Sequence, residues 1–197
     1  MNLPNKITMG RIVLSIMLLI LLVFPFSLCG IDFPKYELFG TISVDLKYII
    51  GGVIFLIASL TDFIDGNIAR KRNLVTDFGK VMDAIADKVL VNGVLVVLAC
   101  NGVINEIIPV IIITRDIFVD SIKMVAGSKG KAVGASILGK LKTICMMSGL
   151  TLTFFYNIPF ELINLDVANG LLYIACVLSI ISGVQYYLVN KEYFKEK

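Results

Sequence analysis

The chain has 197 residues, of which 57% are hydrophobic, and its mean hydropathy is +0.89. This composition leaves too little polar surface for a soluble domain and indicates a protein that lies in a bilayer. The net charge of +3 comes without a basic tail or arginine-rich run, which argues against nucleic acid as a partner. The four cysteines show no CxxC spacing, so they indicate neither a zinc site nor a disulfide framework.

Apolar runs separated by polar breaks predict an all-α integral membrane protein with six transmembrane helices. The predicted spans are residues 9–28, 47–69, 79–101, 104–126, 137–157 and 169–189. They use nearly the whole sequence, so we expect a single membrane domain over residues 1–197. The first run is long for a signal peptide, and we expect it to be retained as a helix. The polar residues 1–8, which include Pro4, are predicted to form a short interfacial segment before it.

The positions of the basic residues predict the orientation of these spans. Of the 18 lysines and arginines, only Lys35 and Lys47 fall on one side, while Lys88 and Arg115 lie inside spans. The other fourteen lie at or near the opposite side: Lys6, Arg11, Arg70, Lys71, Arg72, Lys80, Lys123, Lys129, Lys131, Lys140, Lys142, Lys191, Lys195 and Lys197. Because basic residues accumulate on the cytoplasmic side, we expect both termini and residues 70–78 to be cytoplasmic.

Four aspartates are concentrated at the cytoplasmic ends of the second and third spans. Asp62 and Asp65 are three residues apart, and Asp83 and Asp87 are four apart, so each pair shares one helix face. At about 1.5 Å of rise per residue, both pairs lie roughly 8 to 14 Å below the same membrane surface. The spacing therefore predicts that four carboxylates converge at one depth.

Four unpaired carboxylates inside a membrane would be severely destabilising, so a cation must neutralise them. Lys88 and Arg70 are candidates within the chain. All-oxygen ligation by shared carboxylates also suits Mg²⁺ or Mn²⁺. Two further interpretations remain open: ion pairs with Arg70, Lys80 and Lys88 that only join two helices, or a path for cation transport. Histidine is absent, so any general base must be a carboxylate or a lysine.

Residues 62–87 match the pattern D-x2-D-G-x2-A-R-x8-G-x3-D-x3-D at every fixed position. This segment resembles the signature of the CDP-alcohol phosphatidyltransferase family. The resemblance implies a metal-dependent transferase that moves a phosphatidyl group from a CDP-activated lipid to an alcohol. Membrane prenyltransferases also bind a diphosphate through aspartates, but their acidic motifs are spaced differently.

Three other segments resemble the phosphatidylglycerophosphate synthases of that family: Asn2 to Asn5 with Thr8 and Arg11, Thr114 to Asp116, and Gly139 to Thr143. This resemblance implies CDP-diacylglycerol and sn-glycerol 3-phosphate as substrates, and a homodimer in the bacterial inner membrane with its active site facing the cytoplasm. Inositol phosphate, serine or phosphatidylglycerol are the alternative acceptors. The chain departs from those synthases at Met146, where they often carry glutamine.

The resemblance also implies a role for each residue of the signature. Asp62, Asp65 and Asp83 would hold one divalent ion, and Asp62, Asp83 and Asp87 the other. Asp87 would also accept the proton of the attacking hydroxyl. The site for CDP-diacylglycerol would be formed by Asp65, Gly66, Ala69, Arg70, Gly79 and Asp83.

Arg115, Lys140 and Lys142 are the candidates for binding the phosphate of the acceptor. Arg115 lies about eleven residues inside the fourth span, where an arginine needs a partner or an aqueous cavity. Its guanidinium either binds the phosphate or forms an ion pair with Asp116, Asp120 or an acid of the second span. The two lysines begin the fifth span, where a helix N-terminus attracts anions, although a cytoplasmic flank is rich in lysine anyway.

Overall fold

The computed structural model describes residues 3–38, 42–71, 77–130, 134 and 136–191. Within these ranges, the side chains of residues 3–4, 63–71, 77–78 and 80 are outside the description. Among the described residues, six helices dominate the fold. Their bounds are α1 Leu3–Val23, α2 Leu46–Lys71, α3 Asp77–Cys100, α4 Ile107–Ser128, α5 Ile137–Phe154 and α6 Val167–Asn190. All six predicted spans therefore correspond to helices.

The first helix differs most from its prediction. It begins at Leu3 rather than near residue 9, so residues 3–8 continue α1 and do not form a separate segment before it. Pro4 does not interrupt the helix, because proline is tolerated in the first turn, where the backbone N–H groups have no helical acceptor. The extra two turns bring polar residues of the N-terminus to the helix bundle.

The link between α1 and α2 contains the only described strands. Lys35–Leu38 (β1) and Ile42–Asp45 (β2) pair antiparallel, with Lys35 opposite Asp45 and Leu38 opposite Ile42. The sequence pattern predicted no strands in this link. Short 3-10 helices, Phe26–Cys29 and Phe160–Ile163, lie after α1 and before α6.

The core joins side chains of all six helices. α1 packs on α2 and α3, while α6 packs on α4 and α5. Leu18, Phe55, Leu95, Ile112 and Leu150 are among the buried residues that connect these helices. The outward faces of α1 and α6 are apolar and exposed, at positions such as Val13, Ile16, Val177, Ile181 and Val184. Apolar residues on the outside as well as in the core are expected of helices in lipid.

Three helices are long and apolar enough to cross a membrane by length and composition, among the residues described: Asn5–Val23, Ile137–Phe154 and Val167–Asn190. The other three helices carry Asp62, Asp65, Asp83, Asp87 and Arg115. Three long apolar helices and an exposed apolar surface make the chain a membrane protein.

Candidate active site

Arg11 of α1 connects the acidic residues of α2 and α3. Its side chain is 1% exposed, and its guanidinium forms ion pairs with Asp62 through Nη1 and with Asp83 through Nη2. The Nη2–Oδ1 distance to Asp83 is 2.9 Å. Thr8 Oγ1 donates a hydrogen bond of 2.7 Å to the same oxygen of Asp83. Asp62 and Asp83 therefore converge on one cationic group, and that group comes from a third helix.

A polar stripe on α1 provides this cation, although the sequence alone did not assign these residues to the site. Asn5, Thr8, Arg11 and Ser15 are all buried and follow one another at spacings of three or four residues, which places them on one helix face. Ser15 Oγ donates to the backbone carbonyl of Arg11 at 2.8 Å. This helical spacing of polar residues in an otherwise apolar run was the signal that could have identified them.

The cations that the sequence analysis proposed as partners of the acids are placed differently. Lys88, one of the two candidate cations, forms an ion pair with Asp120 of α4. The side chain of Arg70 lies outside the description, as do those of Asp65, Gly66 and Ala69 in α2. Gly79 is buried in the first turn of α3.

The four predicted metal ligands are only partly described. Asp62 and Asp83 share Arg11, and Asp87 lies one turn beyond Asp83 on α3. Among the described side chains, which exclude Asp65, no three His, Cys, Asp or Glu residues are close enough to hold a metal ion. The chemistry of the donors nevertheless fits a hard divalent cation, because the carboxylates of Asp62 and Asp83 already converge on one positive charge. The complete ligand set stays a prediction.

A cavity of about 240 Å³ lies beside these acids, between α3, α4, α5 and α6. Its charged lining residues are Lys88, Arg115, Lys123, Lys140 and Lys142 on the basic side and Asp87, Asp116 and Asp120 on the acidic side. Basic groups outnumber acidic ones, so the cavity suits an anion. Asp87 reaches this cavity from the helix that carries Asp83, so the acids and the basic cavity adjoin.

Arg115 lines the cavity and is held by three protein groups. Its Nη1 donates to Asp116 Oδ1 at 3.0 Å, Nη2 donates to Ser182 Oγ at 2.7 Å, and Nε donates to the carbonyl oxygen of Ser179 at 3.1 Å. The ion pair with Asp116 was one of the two interpretations that the sequence left open. These contacts still leave an N–H group on each Nη atom for a ligand in the cavity.

The two lysines of α5 have different environments. Lys142 is 3% exposed, and its Nζ lies 2.8 Å from both carboxylate oxygens of Asp116. Lys140 is exposed and lines the cavity near the start of the helix. Ser136 caps this helix by accepting a hydrogen bond of 3.0 Å from the N–H of Gly139. Arg115, Lys140 and Lys142 thus line one cavity, with Asp116 joining Arg115 to Lys142.

The sequence model of the CDP-alcohol phosphatidyltransferase family matches residues 1–181 of the chain. Two relatives are both named CDP-diacylglycerol--glycerol-3-phosphate 3-phosphatidyltransferase. The protein from Bacillus subtilis is 37% identical over 194 residues, which are 98% of this chain and 97% of the relative. The protein from Rickettsia bellii is 36% identical over the same shares of the two chains.

The fold is also similar to a crystal structure of Mycobacterium tuberculosis phosphatidylinositol phosphate synthase in complex with manganese and citrate. The TM-score is 0.62 at 18% sequence identity, over 98% of this chain and 86% of that one. The apo form of the same synthase gives a TM-score of 0.61. At this identity the similarity concerns the fold alone.

Proposed function

The chain belongs to the CDP-alcohol phosphatidyltransferase family, and we propose that it transfers the phosphatidyl group of CDP-diacylglycerol to sn-glycerol 3-phosphate. The products are phosphatidylglycerol phosphate and CMP. Two near full-length relatives bear the name of this activity. The structural observation that carries the proposal is the basic cavity next to Asp87, because an acceptor that is itself a phosphate ester needs an anion site beside the reacting centre.

Two divalent ions, Mg²⁺ or Mn²⁺, are proposed as cofactors, held by Asp62, Asp65, Asp83 and Asp87. When bound, such ions polarise the diphosphate of the donor and stabilise the charge of the leaving CMP. The structurally similar mycobacterial synthase is described in complex with manganese. In this chain, the convergence of Asp62 and Asp83 on the Arg11 guanidinium supports a cation site between α2 and α3.

The donor is proposed to bind at the signature segment, through Asp65, Gly66, Ala69, Arg70, Gly79 and Asp83. Transfer forms a bond between the acceptor oxygen and the phosphorus that carries diacylglycerol, and it breaks the bond from that phosphorus to CMP. The hydroxyl proton passes to Asp87. This residue suits the role because it lies between the acids that neighbour the donor and the cavity proposed for the acceptor.

Arg115, Lys140 and Lys142 are proposed to bind the phosphate of glycerol 3-phosphate. The N–H groups that Asp116, Ser179 and Ser182 leave on Arg115 can form a fork for two phosphate oxygens. The ammonium group of Lys142 donates two hydrogen bonds to Asp116, and its third N–H can donate to the phosphate. Met146, where related synthases often carry glutamine, also lines the cavity. The effect of this difference should therefore fall on binding of the acceptor.

All six helices are proposed to span the bacterial inner membrane, with both termini and the active site on the cytoplasmic side. The support is the charge asymmetry of the links together with the position of the acids near one end of α2 and α3. Membrane lipids contact the apolar outer surface. A homodimer is proposed from the family resemblance.

The activity is tested by incubating the purified protein with CDP-diacylglycerol, Mg²⁺ and one candidate alcohol at a time. Glycerol 3-phosphate should release CMP and give phosphatidylglycerol phosphate, identified by mass spectrometry. Inositol phosphate, serine and phosphatidylglycerol serve as competing acceptors. Preference for one of these would replace the proposed acceptor, while absence of CMP release with all four would contradict the transferase itself.

A further inference from the structure

One face of α6 contacts Arg115. Ser179, Ser182, Gly183 and Tyr186 occupy positions i, i+3, i+4 and i+7, which form a single stripe along a helix. All four are buried, although the flanking residues Ile180, Ile181 and Val184 are exposed. We call these four residues the α6 stripe. Three of them follow residue 181, where the match to the family's sequence model ends.

Each residue of the α6 stripe contacts Arg115 in a different way. The carbonyl of Ser179 and the hydroxyl of Ser182 accept hydrogen bonds from Nε and Nη2. Gly183 leaves room for the aliphatic stem, because a Cβ at this position would lie 3.2 Å from Arg115 Cγ. The ring of Tyr186 lies under the guanidinium, with 5.7 Å between Cζ and the ring centroid.

Tyr186 also ties the start of α5 to the same stripe. Its hydroxyl accepts a hydrogen bond of 2.9 Å from the N–H of Ser136 and donates one of 2.9 Å to the carbonyl of Gly134. Ser136 is the residue that caps α5 through Gly139. Tyr186 therefore fixes the start of α5, which carries Lys140 and Lys142, relative to Arg115.

We propose that the α6 stripe positions the acceptor site. It fixes the distance between the guanidinium of Arg115 and the lysines of α5. A phosphorylated alcohol bound by these groups then places its hydroxyl at Asp87. The inference rests on the proposed function and extends it to four residues of α6, of which only Tyr186 lines the cavity. A shift in this separation moves the phosphate while leaving the signature segment and the donor untouched. The stripe therefore determines acceptor recognition, and its residues are positioning residues.

The main test is Gly183→Ala, with Gly170→Ala as a matched control on the same helix. An added Cβ at Gly183 crowds Arg115 Cγ, whereas at Gly170 it meets nothing within 4 Å. Alanine is a better helix former than glycine, so neither change weakens the helix itself. Gly183→Ala should raise the KM for glycerol 3-phosphate about three- to tenfold, with the KM for CDP-diacylglycerol and kcat changed less than about twofold. Gly170→Ala should match the native enzyme.

Two further measurements separate positioning from a general structural effect. Tyr186→Phe keeps the ring under Arg115 and removes only the hydroxyl, and it should raise the same KM without affecting the donor. In an Arg115→Ala background, Gly183→Ala should cause no additional rise, because the group that it displaces is gone. Additive effects in this double-mutant cycle would overturn the proposal.

The outcomes also distinguish this inference from the proposed function. If the native enzyme uses glycerol 3-phosphate but Gly183→Ala leaves its KM unchanged, or raises the KM of both substrates together, the α6 stripe has no positioning role and the proposed function stands. If the native enzyme prefers another phosphorylated alcohol, the assigned acceptor is wrong, and the variants are compared with that alcohol instead. Preference for an unphosphorylated acceptor would overturn both.

Discussion

Arg11 and Asp83, 72 residues apart in the chain, form an ion pair with 2.9 Å between Nη2 and Oδ1. The same guanidinium pairs with Asp62, so one residue of α1 binds both carboxylates that are proposed to bridge two metal ions. Arg11 is buried, whereas the two aspartates are about half exposed. Arg11 therefore neutralises the two aspartates on their buried side, while their other side remains accessible.

We expect Arg11 and a divalent cation to compete for the same carboxylate oxygens. Arg11→Ala should lower stability in chelator by about 1–3 kcal/mol, less than for a fully buried pair because both acids are partly solvated. Added Mn²⁺ should then raise the midpoint of thermal unfolding more in the variant than in the native protein. Without Arg11 as a competitor, the ion binds the carboxylates more tightly and so stabilises the folded state more. Gly10→Ala, where a Cβ meets nothing within 4 Å, is the control on the same helix. An equal or smaller response to Mn²⁺ in Arg11→Ala would contradict competition.

Asp62→Asn and Asp83→Asn should each reduce CMP release below detection, because each residue is proposed to hold both ions. Size-exclusion chromatography in detergent should show that both variants still fold. Asp32→Asn, in the exposed link after α1, should retain native activity and controls for the loss of one negative charge. Full turnover in chelator, or in either site variant, would rule out the metal site.

Asp87→Asn should lower kcat by about 100-fold or more, because the amide cannot accept the proton of the attacking hydroxyl. Binding of CDP-diacylglycerol, followed by titration calorimetry, should remain measurable since the proton moves only after the donor is bound. Loss of donor binding in parallel with the rate would favour a purely metal-ligating role for this residue.

Arg115→Ala should raise the KM for glycerol 3-phosphate about ten- to a hundredfold, as expected for the loss of charge-assisted hydrogen bonds. The KM for CDP-diacylglycerol should change little. The fold should survive because Lys142 still neutralises Asp116. Free glycerol should be a poor acceptor and should be much less sensitive to the change. An equal loss for donor and acceptor would assign Arg115 to a structural ion pair.

Lys140→Ala and Lys142→Ala should differ in stability although both weaken acceptor binding. Lys140 is exposed, so its removal should raise the KM for glycerol 3-phosphate without lowering the unfolding temperature. Lys142 is buried against Asp116, and its loss should also cost about 1–3 kcal/mol of stability. Thermal unfolding beside steady-state kinetics measures both effects. Equal unfolding temperatures for the two variants would contradict the assigned burial.

The helices and the two pairs of acids could be predicted from the sequence, because both depend on residues that are close together along the chain. A run of apolar residues defines a membrane helix by its length, and a spacing of three or four places Asp62 with Asp65, or Asp83 with Asp87, on one face. The residues of the signature follow each other within 26 positions, so the family could also be identified without coordinates.

The partners of those acids were decided only by the packing of distant helices. Hydrophobic burial has no direction, so the sequence does not show that α1 packs against both α2 and α3. That packing gives the acids Arg11 and sends Lys88 to Asp120 instead. The same reason applies to Arg115, whose fork is set by serines 64 and 67 residues further along the chain. Contacts between side chains so far apart exist only once the helices have packed, and here they determine which charges remain available to a substrate.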